Sequence, residues 1–273
     1  GKHVMSAAAK NLTPVTLEQG GKSPALIAPD ANLEHAAERI CFGKSLNAGQ
    51  TCIAPDYVLV PEGREKEFIG RYHQAFTKMY PTMKDNDDYT AIINDRQYQR
   101  LFSWLKDADE KGAKITQINP GDENFSDCRK MPPHLVENGT DEMTVMQEEL
   151  FGPILPIVTY RSFDDALAYI TDRDRPLALY LFSYNRDIEK KVLEQTHAGG
   201  VAVNDTLMHI AQDDMPFGGI GPSGMGHYHG KEGFVTLSKA KAVHRKGRIN
   251  SGKVIYPPYG TRLHNLVYKL FIR

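Results

Sequence analysis

The chain has 273 residues, which is enough to bury one large hydrophobic core, or a core with an appendage. Its formal net charge is −1 with acids and bases interspersed, so neither nucleic-acid binding nor a charge-driven membrane role is indicated. Three cysteines cannot all pair and lack metal-ligand spacing, which favours reduced thiols in a cytoplasmic setting.

Apolar periodicity divides the chain into alternating strands and helices. In chain order, the prediction is a helix at 2–10, strands at 14–18 and 25–28, a helix after Asp30, a strand at 57–60, a helix carrying Phe68, Ile69, Tyr72 and Phe76, a helix at 95–108, a loop at 119–133, a strand at 154–160, a helix at 163–171, a strand at 177–183, a helix at 187–195 and a strand at 200–204. From about Met215 the chain is glycine-rich and irregular. Strands alternating with helices in this way predict an α/β fold with a mostly parallel sheet.

The segment Asn47-Ala-Gly-Gln-Thr-Cys52 is the first candidate for chemistry. A cysteine that follows a helix behind small residues has an uncrowded sulfur, and nearby backbone N–H groups can face an oxyanion. A thiolate can add to a carbonyl carbon without a dedicated partner base. The alternative for an isolated cysteine is a buried structural thiol, which fits Cys41, whereas Cys128 fits a surface thiol in a polar loop.

Two carboxylate segments accompany this cysteine. Glu18 ends a predicted strand before Gly20-Gly21, and an α/β sheet carries its ligand at the carboxyl edge of its strands. Glu149 precedes Phe151-Gly-Pro, a combination that could hold a ribose and a flat ring. Each segment alone also fits an ordinary strand-end acid, or an exposed helix end with a core phenylalanine.

Taken together, these motifs resemble the signature set of the aldehyde dehydrogenase superfamily. The resemblance extends to Gly199-Gly-Val-Ala-Val-Asn204 and to the Pro-Phe-Gly-Gly loop, so it covers nearly the whole chain. Residues 50–56, His209 and Tyr228-His-Gly230 are most similar to the class 3 branch, and the C-terminal end resembles bacterial coniferyl aldehyde dehydrogenases. This resemblance implies the three-layer α/β/α aldehyde dehydrogenase catalytic domain, with a C-terminal oligomerisation strand and tail.

The resemblance also implies roles for the catalytic residues. Cys52 would form a thiohemiacetal with an aldehyde and then a thioester, and Asn47 would support the loop that carries it. Water would hydrolyse the thioester with Glu18 as general base, ahead of Glu149. For that role, burial would have to raise the pKa of Glu18.

Binding residues follow from the same resemblance. The cofactor would be NAD or NADP, held by the Gln19 and Gly20 backbone and by Glu149 and Phe151. Phe217 would line the substrate funnel, with His209 as a second substrate residue. His227 and His229 lack a third ligand in the sequence, so we expect no metal site.

The resemblance further implies that residues 1–19 are a remnant of a cofactor-binding domain, 20–238 the catalytic domain and 239–273 the strand and tail. We expect a fragment that lacks most of the cofactor domain and is inactive alone. Residues 240–248 are expected to form a strand that pairs a homodimer. For the apolar tail, which includes Ile272, we favour packing on the body or a partner over contact with a membrane surface.

Two rival functions remain open on the sequence. A cysteine and a glutamate in one pocket could hydrolyse activated esters without a cofactor. Alternatively, the chain could be a non-catalytic assembly module that adds its C-terminal strand to a partner's sheet.

Overall fold

A computed structural model describes residues 1–271 of the chain. Its strands are β1 (Leu17–Glu18), β2 (Pro24–Ile27), β3 (Tyr57–Pro61), β4 (Lys114–Gln117), β5 (His134–Glu137), β6 (Ile154–Tyr160), β7 (Ala178–Phe182), β8 (Gly200–Val203) and β9 (Gly224–Met225). Its α-helices are α1 (Lys2–Ala9), α2 (Leu33–Ser45), α3 (Glu65–Met79), α4 (Asp95–Glu110), α5 (Thr144–Gln147), α6 (Phe163–Thr171), α7 (Arg186–Gln195), α8 (Gly230–Thr236) and α9 (Arg262–Phe271).

Seven strands form one sheet in the order β4-β5-β6-β3-β2-β7-β8. All neighbouring pairs are parallel except β4 with β5, which is antiparallel at one edge. The middle strands β2 and β7 are buried along their whole length, as continuous apolar runs require when both faces of a sheet are covered. The prediction of an α/β fold with a mostly parallel sheet is confirmed.

Two apolar layers cover the two faces of this sheet. The larger layer packs α2, α3 and α4 against one face, with Ile40, Phe68 and Phe76 fully buried. The smaller layer packs α6 and α7 against the other, through Leu167, Ile170 and Val192. Helices on both faces give the three-layer arrangement. The segments that enter β2, β3 and β6, at the amino ends of these strands, carry Gly20, Cys52 and Glu149.

The strand predicted at 14–18, which carries Glu18, is shorter in the structure. Residues 14–18 reduce to the two-residue β1, which pairs antiparallel with β9, so that Glu18 faces Gly224. Glu18 is therefore held by a separate two-stranded sheet and not at the edge of the main sheet. The glycine-rich chain after Met215 also contains β9 and the short helix α8, which periodicity could not indicate because both are too short.

Residues 238–273 form a second compact unit. The strand predicted at 240–248 is expected against a partner's sheet, and in the single chain residues 239–250 contain neither strand nor helix. An isolated strand has no partner for its backbone N–H and C=O groups, which explains why none forms here. The helix α9 exposes Leu263, Leu266, Leu270 and Phe271, whereas Ile272 and Arg273 lie outside the described residues.

Within residues 1–271, no helix combines the length and the apolar character needed to cross a bilayer.

Candidate active site

The loop that carries Cys52 begins where α2 ends. A short 3₁₀ turn (Leu46–Gly49) follows α2, and within it Asn47 and Ala48 have φ values of 53° and 52°. The left-handed region costs a non-glycine residue about 1 kcal/mol or more, so the loop holds strain. Asn47 offsets part of it, because its side-chain amide donates to the Gln50 carbonyl at 3.0 Å.

Gln50 ties this loop to the segment before α4. Its side-chain amide donates to Ala91 O at 3.1 Å and accepts the Ile93 N–H at 2.9 Å. After Cys52, the Tyr180 hydroxyl on β7 donates to the Ile53 carbonyl. The loop is thus fixed on both sides of Cys52, as a nucleophile needs if its sulfur is to keep one position.

The Cys52 thiol is half-buried and lies between two acids. Its pKa is raised to about 11, first by burial and then by the negative charges of Glu18 and Glu149. The backbone N–H of Cys52 faces its own sulfur and opposes this shift. At neutral pH the residue is therefore a thiol, and its activation needs either a proton acceptor or the loss of a neighbouring negative charge.

Glu149 is the better buried of the two acids. It follows the short helix α5, and the pKa of its carboxyl is raised to about 7, mainly by burial. The N–H of Gly21 hydrogen-bonds to this carboxylate and limits the shift. A carboxyl that titrates near neutrality beside a thiol has the property a general base requires.

Glu18 is more exposed than we expected of a general base. The residue is exposed at the end of β1, so the burial that we expected of a general base is absent. Its charge nevertheless contributes to the raised pKa of Cys52, to which it also hydrogen-bonds, and to that of Tyr228. The structure therefore brings Glu18, Glu149 and Cys52 together, with different exposure of the two acids.

A cavity of about 860 Å³ opens beside Glu149 and includes Gln19, Gly20 and Gly21 in its wall. Gly20, at φ 56°, lets the chain pass directly against the Glu149 carboxylate. Phe151 is 41% exposed and also has a positive φ of 49°. An exposed ring on strained backbone, beside a half-buried carboxylate, suits a nicotinamide ribose and ring, so these residues fit the predicted cofactor.

Gln19 can supply only part of its predicted backbone contact. Its N–H already donates to the Ser223 carbonyl at 3.0 Å, which continues the pairing of β1 with β9. Its side chain lies against Gly1 at the start of α1.

An aromatic cluster includes Tyr228, whose pKa is raised by burial and then by the charges of Glu18 and Cys52. It joins Phe217 to the rings of His209, Tyr228 and His229, with centroids 5.4–5.8 Å apart. Phe217 is only 3% exposed, and its place in the wall of a substrate funnel stays a prediction. Its ring is covered by its neighbours, and Tyr228, at 43% exposure, presents the accessible surface.

His209 packs against Tyr180 and Phe217, with ring centroids 5.9 and 5.8 Å apart. Within residues 1–271, neither of its ring nitrogens has a hydrogen-bond partner, and burial lowers its pKa. A neutral imidazole with free nitrogens can accept a hydrogen bond from a ligand hydroxyl or donate one to a ligand oxygen.

A buried ion pair beneath the site was not predicted from the sequence. Lys22 pairs with Asp56, and its ammonium also donates to the carbonyls of Val145 and Glu148, both at 2.9 Å. Asp56 in turn accepts the N–H of Leu150 at 2.9 Å. This pair connects the starts of β2 and β3 to the segment around Glu149. The sequence pattern that could have indicated the pair is a charged residue shortly before each of two buried strands.

The other cysteines take different positions. Cys41 is fully buried in α2, as predicted, with its pKa raised to about 12 by burial. Cys128 is half-buried against the core, with its sulfur 3.8 Å from the Phe125 carbonyl, so the prediction of a surface thiol is wrong. In the part of the chain that the structure describes, no group of three or more His, Cys, Asp or Glu side chains is arranged to hold a metal.

The family profile described as the aldehyde dehydrogenase family matches residues 1–243. The chain is 58% identical over 273 residues to a probable coniferyl aldehyde dehydrogenase of Pseudomonas aeruginosa, covering 100% of this chain and 56% of the relative. It is 46% identical over 269 residues to a coniferyl aldehyde dehydrogenase of a Pseudomonas species, covering 97% of this chain and 56% of that protein.

A solved structure, described as the substrate-bound state of Staphylococcus aureus AldH, has the same fold. It superposes with a TM-score of 0.91 at 44% identity, covering 100% of this chain and 58% of that one. The chain thus spans just over half the length of the relatives and of the solved structure that it matches.

Proposed function

The chain belongs to the aldehyde dehydrogenase family, and we propose that it carries the nucleophile and the general base for oxidation of an aldehyde to the carboxylic acid. The observation that supports this most directly is the position of the half-buried Cys52 thiol between two carboxylates. Strained backbone at Asn47, Ala48 and Phe151 borders the same site. Strain of this kind persists where function requires a fixed geometry.

In the proposed reaction, a carboxylate takes the Cys52 proton, and the sulfur adds to the aldehyde carbon while the carbonyl oxygen takes the electron pair. When bound, NAD or NADP supplies the acceptor for the hydride that leaves this carbon. Cys52 then holds the acyl group as a thioester. A water gives its proton to the base, its oxygen bonds the acyl carbon, and the carbon–sulfur bond breaks to release the acid.

We propose Glu149 as the base for thioester hydrolysis. Its pKa of about 7 keeps it partly ionised at neutral pH and still able to take up a proton. Glu18, which the sequence favoured, is exposed and is better suited to exchanging protons between Cys52 and solvent.

For the cofactor, we propose that Phe151 contacts the ring, that Glu149 contacts the ribose and that the Gln19–Gly20 backbone contacts the carboxamide. The exposed Phe151 ring and the close approach of Gly20 to Glu149 support this assignment. The choice between NAD and NADP stays open.

We propose an aromatic substrate of the coniferyl aldehyde kind. Support comes from the names of the relatives and from the aromatic cluster centred on Phe217, whose accessible ring is Tyr228. Flat aromatic ligands pack well against such rings. We propose His209 as a second substrate residue, because both of its buried ring nitrogens lack a hydrogen-bond partner among the described residues.

We further propose that the intact enzyme is a cytoplasmic homodimer in which residues 240–248 become a strand against a partner's sheet edge. The 273-residue chain alone should turn over aldehyde poorly, because its relatives are nearly twice as long. Hydrolysis of activated esters through Cys52 needs no cofactor and is the second activity we expect of this chain.

The test is aldehyde-dependent reduction of NAD and NADP, with coniferyl aldehyde and acetaldehyde compared. The chain alone should be far slower than the full-length Pseudomonas aeruginosa relative, and Cys52→Ser should abolish what remains. Turnover by the chain at the relative's rate would contradict the proposal that the chain alone oxidises aldehyde poorly. Unchanged turnover in Cys52→Ser would contradict the proposed nucleophile.

A further inference from the structure

Arg100 is a half-buried arginine on α4 that the proposed reaction has not used. Its guanidinium donates to the Leu150 carbonyl at 2.7 Å and, over a longer distance of 3.4 Å, to the Glu149 carbonyl. These hydrogen bonds connect α4 to a segment that lies about fifty residues later in the chain. Arg100 therefore contacts the backbone of the proposed general base and of the residue that follows it.

The guanidinium of Arg100 is itself held by two neighbours on α4. Its Nε–H donates to the Gln97 side-chain oxygen at 2.6 Å, and its Cζ lies 4.2 Å from the centre of the Trp104 ring. Gln97 and Trp104 are three residues before and four residues after Arg100, so the three side chains share one face of the helix. A planar guanidinium that is stacked on a ring and bonded at Nε presents its remaining donors in a fixed direction.

Leu150 is fully buried, and both polar groups of its backbone bond to charged side chains. Its carbonyl accepts from Arg100, and its N–H donates to the Asp56 carboxylate at 2.9 Å. Hydrogen bonds to charged groups are stronger than those between neutral groups, and a buried carbonyl that loses its donor is costly. Arg100 and Asp56 therefore fix the backbone on both sides of Leu150.

The residue after Leu150 needs this support. Phe151 has φ 49°, a left-handed conformation that a bulky residue keeps only where its surroundings determine it. The next residue, Gly152, packs against α4 again, since a Cβ placed on it would be 2.5 Å from Cδ1 of Leu101. Contacts from α4 thus lie on both sides of Phe151, with Arg100 before it and Leu101 after it.

We propose that Arg100 is a positioning residue that fixes the turn at residues 149–152 and, with it, the side chains of Glu149 and Phe151. This inference rests on the proposed function and assigns a further residue to it. Arg100 acts through the backbone of the turn. The groups that it positions are the carboxylate that takes a proton from the hydrolytic water and the ring proposed to contact the cofactor.

The competing explanation is an arginine that only ties α4 to the rest of the chain. Its removal would then lower the melting temperature without slowing one chemical step more than another. A positioning role would instead slow the step that depends on Glu149, which is hydrolysis of the thioester. Arg100→Met separates the two explanations, because methionine keeps an aliphatic side chain but cannot donate to the two carbonyls.

The experiment measures acetylation and deacetylation of Cys52 separately in the whole chain. p-Nitrophenyl acetate acetylates the thiol, rapid desalting removes the ester, and mass spectrometry follows the loss of the acetyl group. In Arg100→Met this loss should slow about ten-fold or more, because small displacements of a reacting group have effects of this size. Glu149→Gln should slow the same step. Acetylation should be nearly unchanged in Arg100→Met, because the Cys52 proton can leave through Glu18.

Lys130→Met is the matched control. Lys130 is also half-buried and also donates to two backbone carbonyls, those of Met83 at 2.9 Å and Asn86 at 2.6 Å. None of these residues belongs to the candidate site. Lys130→Met should lower the melting temperature, as Arg100→Met should, but should lose the acetyl group at the unmodified rate. Arg100→Lys, which keeps a charged donor without the planar fork, should have an intermediate rate.

Loss of the acetyl group from Arg100→Met at the unmodified rate would overturn the inference, as would an equal slowing in Lys130→Met. If Arg100→Met does not fold, Arg100→Lys is measured in its place, and an unmodified rate there overturns the inference. Failure of the proposed function looks different, because no acetyl group would then form on Cys52 of the unmodified chain. Acetylation of Cys52 with unmodified deacetylation in the Arg100 variants refutes only the role of Arg100.

Discussion

The backbone of Gly20 lies directly against the carboxylate of Glu149: a Cβ placed on Gly20 would be 2.5 Å from Oε1. This approach connects the turn after β1 to the segment that follows α5, although the two are far apart in the chain. Gly20 also has φ 56°, where a side chain is strained whatever the space around it. The position of the proposed base therefore depends on a residue that carries no functional group.

Gly20→Ala should displace Glu149 and slow ester hydrolysis about ten-fold or more, as small misplacements of reacting groups do. Gly63→Ala is the matched control, because Gly63 also has positive φ (87°) but nothing lies within 4 Å of its added Cβ. Both variants should lose about 1 kcal/mol to backbone strain. Only Gly20→Ala should lose activity, and equal activity in both would show that contact with Glu149 is unimportant.

Alkylation of Cys52 by iodoacetamide should accelerate with pH up to a midpoint near 11, because the thiolate is the reactive form. Glu149→Gln removes one of the negative charges that raise this pKa, so the midpoint should fall and alkylation at pH 8 should quicken. The measurement uses a Cys41→Ser, Cys128→Ser background. Slower alkylation after loss of the charge would contradict the assigned electrostatics.

Asp56→Asn should destabilise the chain by about 3 kcal/mol, because it leaves the largely buried ammonium of Lys22 without its counter-charge. Urea unfolding gives the free energy of unfolding directly. Asp164→Asn, which removes the partner of Lys191 at an exposed pair, is the control and should have little effect. A similar small loss in both variants would mean that the Lys22–Asp56 pair does not stabilise the site.

Tyr180→Phe should slow acylation of Cys52, because the Tyr180 hydroxyl holds the carbonyl of the residue that follows the nucleophile. Tyr160→Phe is the control, since Tyr160 donates to the Ile27 carbonyl at 2.6 Å. Each variant should lose about 1 kcal/mol of stability for one hydrogen bond. Burst kinetics should separate them, and equal acylation rates would contradict a role for Tyr180 in holding the loop.

The strongly periodic parts of the fold were predictable from the sequence. The bounds of β6 and α6 coincide with the predicted residues 154–160 and 163–171, because β6 is a mostly buried apolar run and α6 begins at a Ser162 capping box. The helix α2 was also predicted, but the burial of Lys44 in its last turn was not. A lysine normally leaves the core, and only tertiary packing places this one beneath the nucleophile loop.

The residues of the candidate site could be predicted from sequence motifs, but their burial and their neighbours could not. Cys52, Glu18 and Glu149 were named from the sequence, and the structure brings them together. Whether an acid is buried depends on contacts between distant segments, such as Gly20 with Glu149, which no local pattern contains. The exposure of Glu18 was missed for the same reason.

The central claim is that Cys52 is the nucleophile, and trapping its acyl form tests it most directly. The chain would be mixed with p-nitrophenyl acetate, quenched in acid within the burst phase and analysed by peptide mass spectrometry. We expect one acetyl group on the peptide containing Cys52, and none there in Cys52→Ser. Acetylation of Cys128 or Cys41 in place of Cys52, or an undiminished burst in Cys52→Ser, would contradict the account.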